Sequence, residues 1–452
     1  MEILQLTPGA GTMFCGNCLR DNALVAALRG LGHNVLMVPL YLPLTLDETD
    51  QSAGTPVFFS GVNVYLDQEL PWFRAAPRWL HRLLASPSLL KWAAGRAGRT
   101  RAETLGPLTL SMLKGETGNQ GRELADLVTW LASQPRPDVI FISNALLLGM
   151  VRLLKTELDR PVVCMLQGED FFLDSLPEPH RQTCWQTMAE RAQDADLFVA
   201  PSRYFGKLMQ TRLNVPAERV KVVYNGISLD GYETAANDRQ TGAPGATNSS
   251  QERSSPPVLG YFARMCPEKG LDTLVEAFIE LRRRGRVTGL KLRVAGSLGP
   301  SDKAFVDALC KRLETAGLGA EATFHPNVDR AGKLALFRSF SVFSVPALYG
   351  EAFGLYLIEA LAAGVPVVQP RTAAFPELLE MTGGGVLCQP GSPLALADAI
   401  ENLLLDPVKS QSLGAEGRRA VFEQFNADAM ARNLLSSLKS LEYCRQREAS
   451  RF

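Results

Sequence analysis

The chain has 452 residues, 46% of them apolar and 21% charged, which excludes wholesale disorder and supplies enough apolar material for two cores. Lys and Arg total 47, and Asp and Glu also total 47. No global basic field therefore marks nucleic acid as a partner, and charge must act through local patches. The eight cysteines are scattered through the chain, which indicates reduced thiols rather than a disulfide framework. The opening Met1-Glu2-Ile3-Leu4-Gln5-Leu6 reads as a first strand and lacks the basic and long apolar regions of a secretory signal. No uncharged apolar run approaches the roughly 18 residues of a spanning helix, and the expected location is cytoplasmic.

Short apolar runs rich in β-branched residues recur along the chain. In the first half they lie at 3–7, 34–39, 138–143, 161–166, 197–200 and 219–224. In the second half they lie at 258–262, 290–295, 322–324, 342–345, 366–369 and 385–388. Each is followed by a segment with helical spacing, the pattern of parallel strands covered on both faces. Two such series predict an α/β chain of two doubly wound domains, at 1–234 and 258–426. Residues 235–257 are dominated by small and polar types with almost nothing to bury, as expected of a flexible interdomain insertion. The remainder, 427–452, carries Met430, Leu434, Leu435, Leu438 and Leu441 at helical spacing, a terminal helix suited to crossing back to the first domain.

A helical insertion around 70–125 breaks the first series. Between 71 and 102 it holds Arg74, Arg78, Arg82, Lys91, Arg96, Arg99 and Arg101 without an acidic residue, together with Trp72, Trp79 and Trp92. Such a basic amphipathic surface suits peripheral contact with an anionic membrane or acceptor. The plainer reading is a lid or excursion whose aromatic face packs on its own domain.

Two segments of the second half carry the chemistry. In Tyr349-Gly350-Glu351-Ala352-Phe353-Gly354-Leu355-Tyr356-Leu357-Ile358-Glu359, a loop with one carboxylate leads into a helix that carries another. The unpaired amides at a helix start form an anion site for a diphosphate. Glu351 and Glu359 then address two parts of one ligand, a sugar and the vicinal hydroxyls of a ribose. In Ala263-Arg264-Met265-Cys266-Pro267-Glu268-Lys269-Gly270, two cations precede a helix near Leu271. Arg264 and Lys269 can stabilise a departing diphosphate without a metal ion, and no clustered Asp/His ligand set stands in the sequence. Taken singly, each pair also reads as helix-flanking carboxylates or solvated loop cations.

Together these segments resemble the C-terminal domain of the retaining glycosyltransferases of the family 4 group, which have the GT-B architecture. The two glutamates separated by seven residues and the Arg264/Lys269 pair match that family, as do Tyr224-Asn225-Gly226-Ile227, Ala200-Pro201-Ser202 and Phe375-Pro376-Glu377. The resemblance implies two Rossmann-like domains facing a central cleft. It implies a nucleoside-diphosphate sugar as donor substrate, a hydroxyl acceptor, retention of configuration, and neither a metal nor a further cofactor. Glu351, Arg264 and Lys269 become the expected catalytic residues. Glu359, Phe353, Gly354 and Leu355 become donor-binding residues, joined by Gly16 and Gln167 of the first domain.

Gly16 belongs to the glycine-bearing loop after the first strand, where the backbone can approach an anion closely. The same loop holds Cys15-Gly16-Asn17-Cys18, read first as a pair of small loop thiols and otherwise as a redox switch or a metal half-site. Gln167 departs from the family, many of whose members have a His there; Gln hydrogen-bonds but never becomes cationic. On the acceptor side the expectation is Asp170 with Asn17, although Asp170 reads equally well as a helix cap. The alternative functions are a nucleotide-sugar epimerase or phosphorylase on the same fold, or a non-catalytic sugar-nucleotide-binding protein.

Overall fold

The computed structural model describes residues 1–9, 16–44, 46, 48–59, 61–70, 72–73, 102–233 and 256–449. Three expectations fall largely or wholly outside these residues: the basic Trp-bearing stretch at 74–101, most of the 235–257 insertion, and Cys15 in the first glycine loop. The chain divides into two compact units, Met1–Gly226 with Ala427–Phe452, and Ile227–Asn426.

In the first unit β1 (Glu2–Thr7), β2 (Asn34–Pro39), β3 (Val139–Ile142), β4 (Val162–Met165), β5 (Leu197–Ala200) and β6 (Val220–Val222) form one sheet in the order β2-β1-β3-β4-β5-β6. Every pairing is parallel. The central strands read Val-Ile-Phe-Ile, Val-Val-Cys-Met and Leu-Phe-Val-Ala, and all their residues are buried. Helices cover both faces, so no position on these strands meets water and the apolar runs are unbroken.

The helix Ala427–Ala449 belongs to this unit. Its Met430, Ala431, Leu434 and Leu438 enter one core with Leu24 and Leu28 of the helix Gly16–Gly30 and with Val35, Phe141 and Val163 of the sheet. Burying each large side chain contributes about 1.5–3 kcal/mol.

The second unit holds β7 (Val258–Phe262), β8 (Lys291–Gly296), β9 (Ala322–Pro326), β10 (Val342–Phe343), β11 (Val367–Pro370) and β12 (Gly385–Cys388), in the order β12-β11-β10-β7-β8-β9. These pairings too are parallel. The expected α/β chain with two doubly wound sheets is therefore what the chain forms. The second unit begins at Ile227 rather than after the polar insertion, because Ile227 bridges Asn426 and its amide donates to the Phe425 carbonyl at 3.0 Å. No helix among the described residues is long and apolar enough to cross a membrane.

Each sheet has one place where the strand order reverses: between β1 and β3 in the first unit, and between β7 and β10 in the second. Loops leaving such a pair of strands diverge to opposite faces and leave a crevice at the carboxyl edge of the sheet, where ligands of open α/β folds bind.

Candidate active site

At the reversal point of the second sheet, the loop after β7 carries Arg264 and Lys269, and the loop after β10 carries Tyr349 and Glu351. The two loops are joined directly, since the Leu348 amide donates to the Glu268 carbonyl at 3.0 Å. Lys269 ends the short turn Pro267–Lys269, and Gly270 follows with φ +69°. A Cβ at Gly270 would lie 2.0 Å from the Pro346 carbonyl oxygen, so only glycine lets the loops approach this closely. The Tyr261 hydroxyl, buried at the end of β7, donates to the Arg264 carbonyl at 2.8 Å and fixes the start of the loop.

Lys269 and Glu351 form a largely buried ion pair, Nζ to Oε2 at 2.6 Å. The Tyr349 and Tyr356 hydroxyls donate to the same Oε2 at 3.0 and 2.8 Å, and Lys269 also donates to the Tyr349 hydroxyl. The ammonium lies 4.9 and 5.2 Å from the centroids of these two rings, within range of their negative faces. Burial pushes the Glu351 carboxyl up, but Lys269 and the two phenols outweigh it and hold the group below its ordinary value.

The helix Leu355–Ala362 follows, with Gly354 at its N-cap in the left-handed region (φ +91°) and no side-chain cap. A Cβ at Gly354 would meet the Phe375 ring at 3.2 Å and Glu351 Cγ at 3.6 Å. Phe353 is buried and packs against Phe425 with ring centroids 6.2 Å apart. The helix thus starts beside Glu351 with its first amides uncapped by the preceding residue, an arrangement suited to an anion. One turn on, Glu359 pairs with Lys333 at 2.9 Å, both side chains largely buried. Arg264 turns to Asp302 instead, with a bidentate pair at 2.9 and 3.1 Å. About half of its side chain stays exposed, and this pairing raises the guanidinium above its ordinary value.

The structure thus brings Lys269 to Glu351 but gives Glu359 and Arg264 their own counter-charges, Lys333 and Asp302. Sequence reasoning missed both partners, and it passed over Tyr349 and Tyr356. Lys333 is the fourth residue after the N-cap aspartate of the helix Arg330–Ser339. From its own segment it reads as an ordinary surface lysine.

In the first unit, Gly16 is exposed and Asn17 half-buried at the start of the helix Gly16–Gly30. Below them is a network with no local sequence signal. Asp21 is fully buried and accepts from Thr7 Oγ1 at 2.7 Å and Ser143 Oγ at 2.5 Å, and Arg20 Nε stands 2.7 Å from its other oxygen. Arg20 also donates to the Ser143 carbonyl at 3.0 Å, tying the ends of β1 and β3 together.

The Gln167 side chain exchanges two hydrogen bonds of 3.3 Å with that of Asn225. Glu169 is buried and structural: its carboxylate accepts from the amides of Ala145, Gln167 and Gly168 at 2.7, 2.9 and 3.0 Å. Asp170 does not cap its helix, because Gly168 occupies the N-cap position of Glu169–Asp174. Its Oδ1 is buried without a hydrogen-bond partner among the described residues, and burial raises its carboxyl above the ordinary value. Cys18 is buried.

Two family models match the chain: Glycosyltransferase Family 4 over residues 96–230 and Glycosyl transferases group 1 over residues 246–420. The chain is 31% identical over 189 residues to a Mycobacterium tuberculosis protein named GDP-mannose-dependent alpha-(1-6)-phosphatidylinositol monomannoside mannosyltransferase. That match covers 40% of this chain and 47% of the relative. It is 28% identical over 246 residues to a D-inositol 3-phosphate glycosyltransferase of Rhodococcus opacus, covering 54% of this chain and 53% of the relative. The chain spans about half the length of the curated relatives it matches. Its fold is similar to that of Anabaena HepE, solved in complex with UDP, with a TM-score of 0.64 at 19% identity over 97% of this chain and 100% of that one. With two sheets of the expected topology and both family models in register along the chain, the protein belongs to the family 4 group of GT-B glycosyltransferases.

Proposed function

We propose that the protein moves a sugar from a nucleoside-diphosphate sugar to a hydroxyl acceptor with retention of configuration and without an obligatory metal ion. The observation that carries this reading is the buried Lys269–Glu351 pair at the reversal point of the second sheet, with Gly354 and the helix start beside it. Glu351 addresses the donor sugar. Lys269 and Arg264 take the charge that develops on the diphosphate as the anomeric carbon–oxygen bond breaks. Phe353, Gly354 and Leu355 offer backbone to the sugar and phosphates, and Glu359, held by Lys333, accepts from the ribose hydroxyls. The acceptor oxygen bonds to the anomeric carbon on the face the diphosphate leaves, and its proton passes to the departing phosphate oxygen.

Gly16 and Gln167 are assigned to the donor, and Asn17 and Asp170 to the acceptor. The unpartnered Oδ1 of Asp170 supports its assignment, since a buried carboxylate oxygen without a donor is ready to receive a hydroxyl. The named relative uses GDP-mannose and the HepE structure holds UDP, so both bases belong in the first screen. Contact of the basic 71–102 stretch with anionic lipid remains part of the proposal. Co-sedimentation with anionic vesicles, abolished by Arg-to-Glu changes there, is its expected outcome, and absence of binding ends it.

The test of the reaction is the anomeric configuration of the product, read by NMR from whichever sugar nucleotide turns over. The donor's configuration is expected to be kept, with turnover unchanged by EDTA. An inverted product, or release of free sugar, sugar phosphate or an epimer with no need of acceptor, overturns the reading.

A further inference from the structure

Glu351 is unusual in how its two oxygens are used. Three donors converge on Oε2: the ammonium of Lys269 and the hydroxyls of Tyr349 and Tyr356. Oε1 accepts no hydrogen bond among the described residues, and it is not among their buried unpartnered atoms. The side chain keeps 13% of its surface open. A carboxylate held by one donor swings freely about its last torsion, which is broad. One gripped on a single oxygen by three donors from different directions is fixed in azimuth, with the other oxygen aimed outward.

The two phenols reach Oε2 from different places. Tyr349 stands in the loop two residues before Glu351, and Tyr356 is the second residue of the helix Leu355–Ala362. The left-handed turn at Gly354 folds that helix start back over the loop: a Cβ there would lie 3.5 Å from Tyr356 Cζ and 3.6 Å from Glu351 Cγ. Tyr356 is itself seated on Phe343 of β10, with ring centroids 6.3 Å apart. The Lys269 ammonium lies near the faces of both phenol rings, so one cation, two phenols and one carboxylate oxygen form a closed cluster.

We infer that Tyr349 and Tyr356 are positioning residues for the transfer reaction: they pin Oε2 of Glu351 so that Oε1 alone is presented to the donor sugar. This rests on the reading of Glu351 as the sugar-facing carboxylate. The tyrosines touch no reacting atom. They act through the orientation of Glu351, which must be held within about half an ångström to be effective. Because the phenols hold an oxygen that Lys269 also holds, the ammonium can turn toward a diphosphate without releasing the carboxylate from its orientation.

The test measures affinity by calorimetry for UDP, UDP-glucose, GDP and GDP-mannose in the full chain, and takes the ratio of sugar conjugate to bare nucleotide. It compares the native protein with Tyr349→Phe, Tyr356→Phe, Glu351→Gln, and each Phe change combined with Glu351→Gln. Each Phe change removes one hydrogen bond to a charged group, and the ratio is expected to fall about tenfold. In the Glu351→Gln background the same changes are expected to lower it no further, because there is no longer a carboxylate to aim; a merely structural role for the phenols would persist there. A ratio untouched by both Phe changes, a ratio of one in the native protein, or an equal loss in the Gln background overturns the inference. Failure of the native protein to bind either nucleotide in any form instead contradicts the nucleotide-sugar reading on which the inference rests, and the inference falls with it.

Discussion

Replacing Lys269 by Met removes the cation from the Glu351 cluster while keeping most of the side chain's length. Breaking a buried ion pair from one side costs about 3–5 kcal/mol, because the surviving charge is left uncompensated. Here the two tyrosine hydroxyls stay on Oε2, and the side chains of Lys269 and Glu351 retain 18% and 13% of their surface. Both features place the cost at the low end, about 3 kcal/mol. Adding Glu351→Gln to Lys269→Met removes the stranded charge and is expected to recover most of that loss.

The pH dependence follows from the same cluster. Glu351 is held below its ordinary 4.5, so its contribution is fully present above that value and disappears as pH falls through the folded value. Without Lys269 the dominant influence left is burial, which raises the carboxyl, and the deficit of Lys269→Met therefore narrows on acidification. The second unit, Ile227–Asn426, contains no tryptophan. Urea unfolding followed by tryptophan fluorescence thus reports the first unit, and circular dichroism reports both. The loss is expected only in the dichroism transition. A coupling between the two substitutions below about 0.5 kcal/mol, the range of independent sites, would refute the reasoning.

Arg264→Ala is expected to lower turnover by about 10²–10³, the cost of removing one charge-stabilising donor from a transition state. Its effect on unfolding is expected to be small because the side chain is half exposed; unchanged turnover would remove Arg264 from the site. Gly354→Ala forces a Cβ into a backbone at φ +91° and to 3.2 Å from the Phe375 ring. It should cost about 1–2 kcal/mol and reduce turnover through displacement of Glu351, and a variant with native stability and rate would contradict this. Leu434→Ala opens a cavity in the first core and should cost about 2–5 kcal/mol in the fluorescence-detected transition. A loss confined to the second unit would place the terminal helix elsewhere.

The strands were legible because burial on both faces leaves no alternation to obscure: Val-Ile-Phe-Ile at 139–142 and Leu-Phe-Val-Ala at 197–200 are apolar at every position and buried at every position. The loop and helix around Glu351 and Glu359 were legible for a related reason, since glycine, carboxylate and helix start stand together in the chain. What could not be read were counter-charges set by strand order. Lys333 meets Glu359 across 26 residues, and Asp302 meets Arg264 across 38. Neither pair has a local spacing rule comparable to the turn-to-turn contacts of a single helix. Arg20-Asp21 likewise reads as an exposed helix pair, yet the reversal between β1 and β3 closes over it. Asp170 was open to reading as a cap because carboxylates favour that position, whereas the left-handed Gly168 takes it.

Binding of a nucleoside-diphosphate sugar at the reversal point of the second sheet is open to a thermal-shift titration of the full chain. UDP, GDP and their glucose and mannose conjugates are compared on the native protein and on Glu359→Ala. One base is expected to stabilise the native protein by about 2.7 kcal/mol when present at roughly 100 times its dissociation constant, and the shift is expected to be lost in Glu359→Ala. A nucleotide-induced shift that survives Glu359→Ala, or no shift with any of these ligands, would contradict binding at that point.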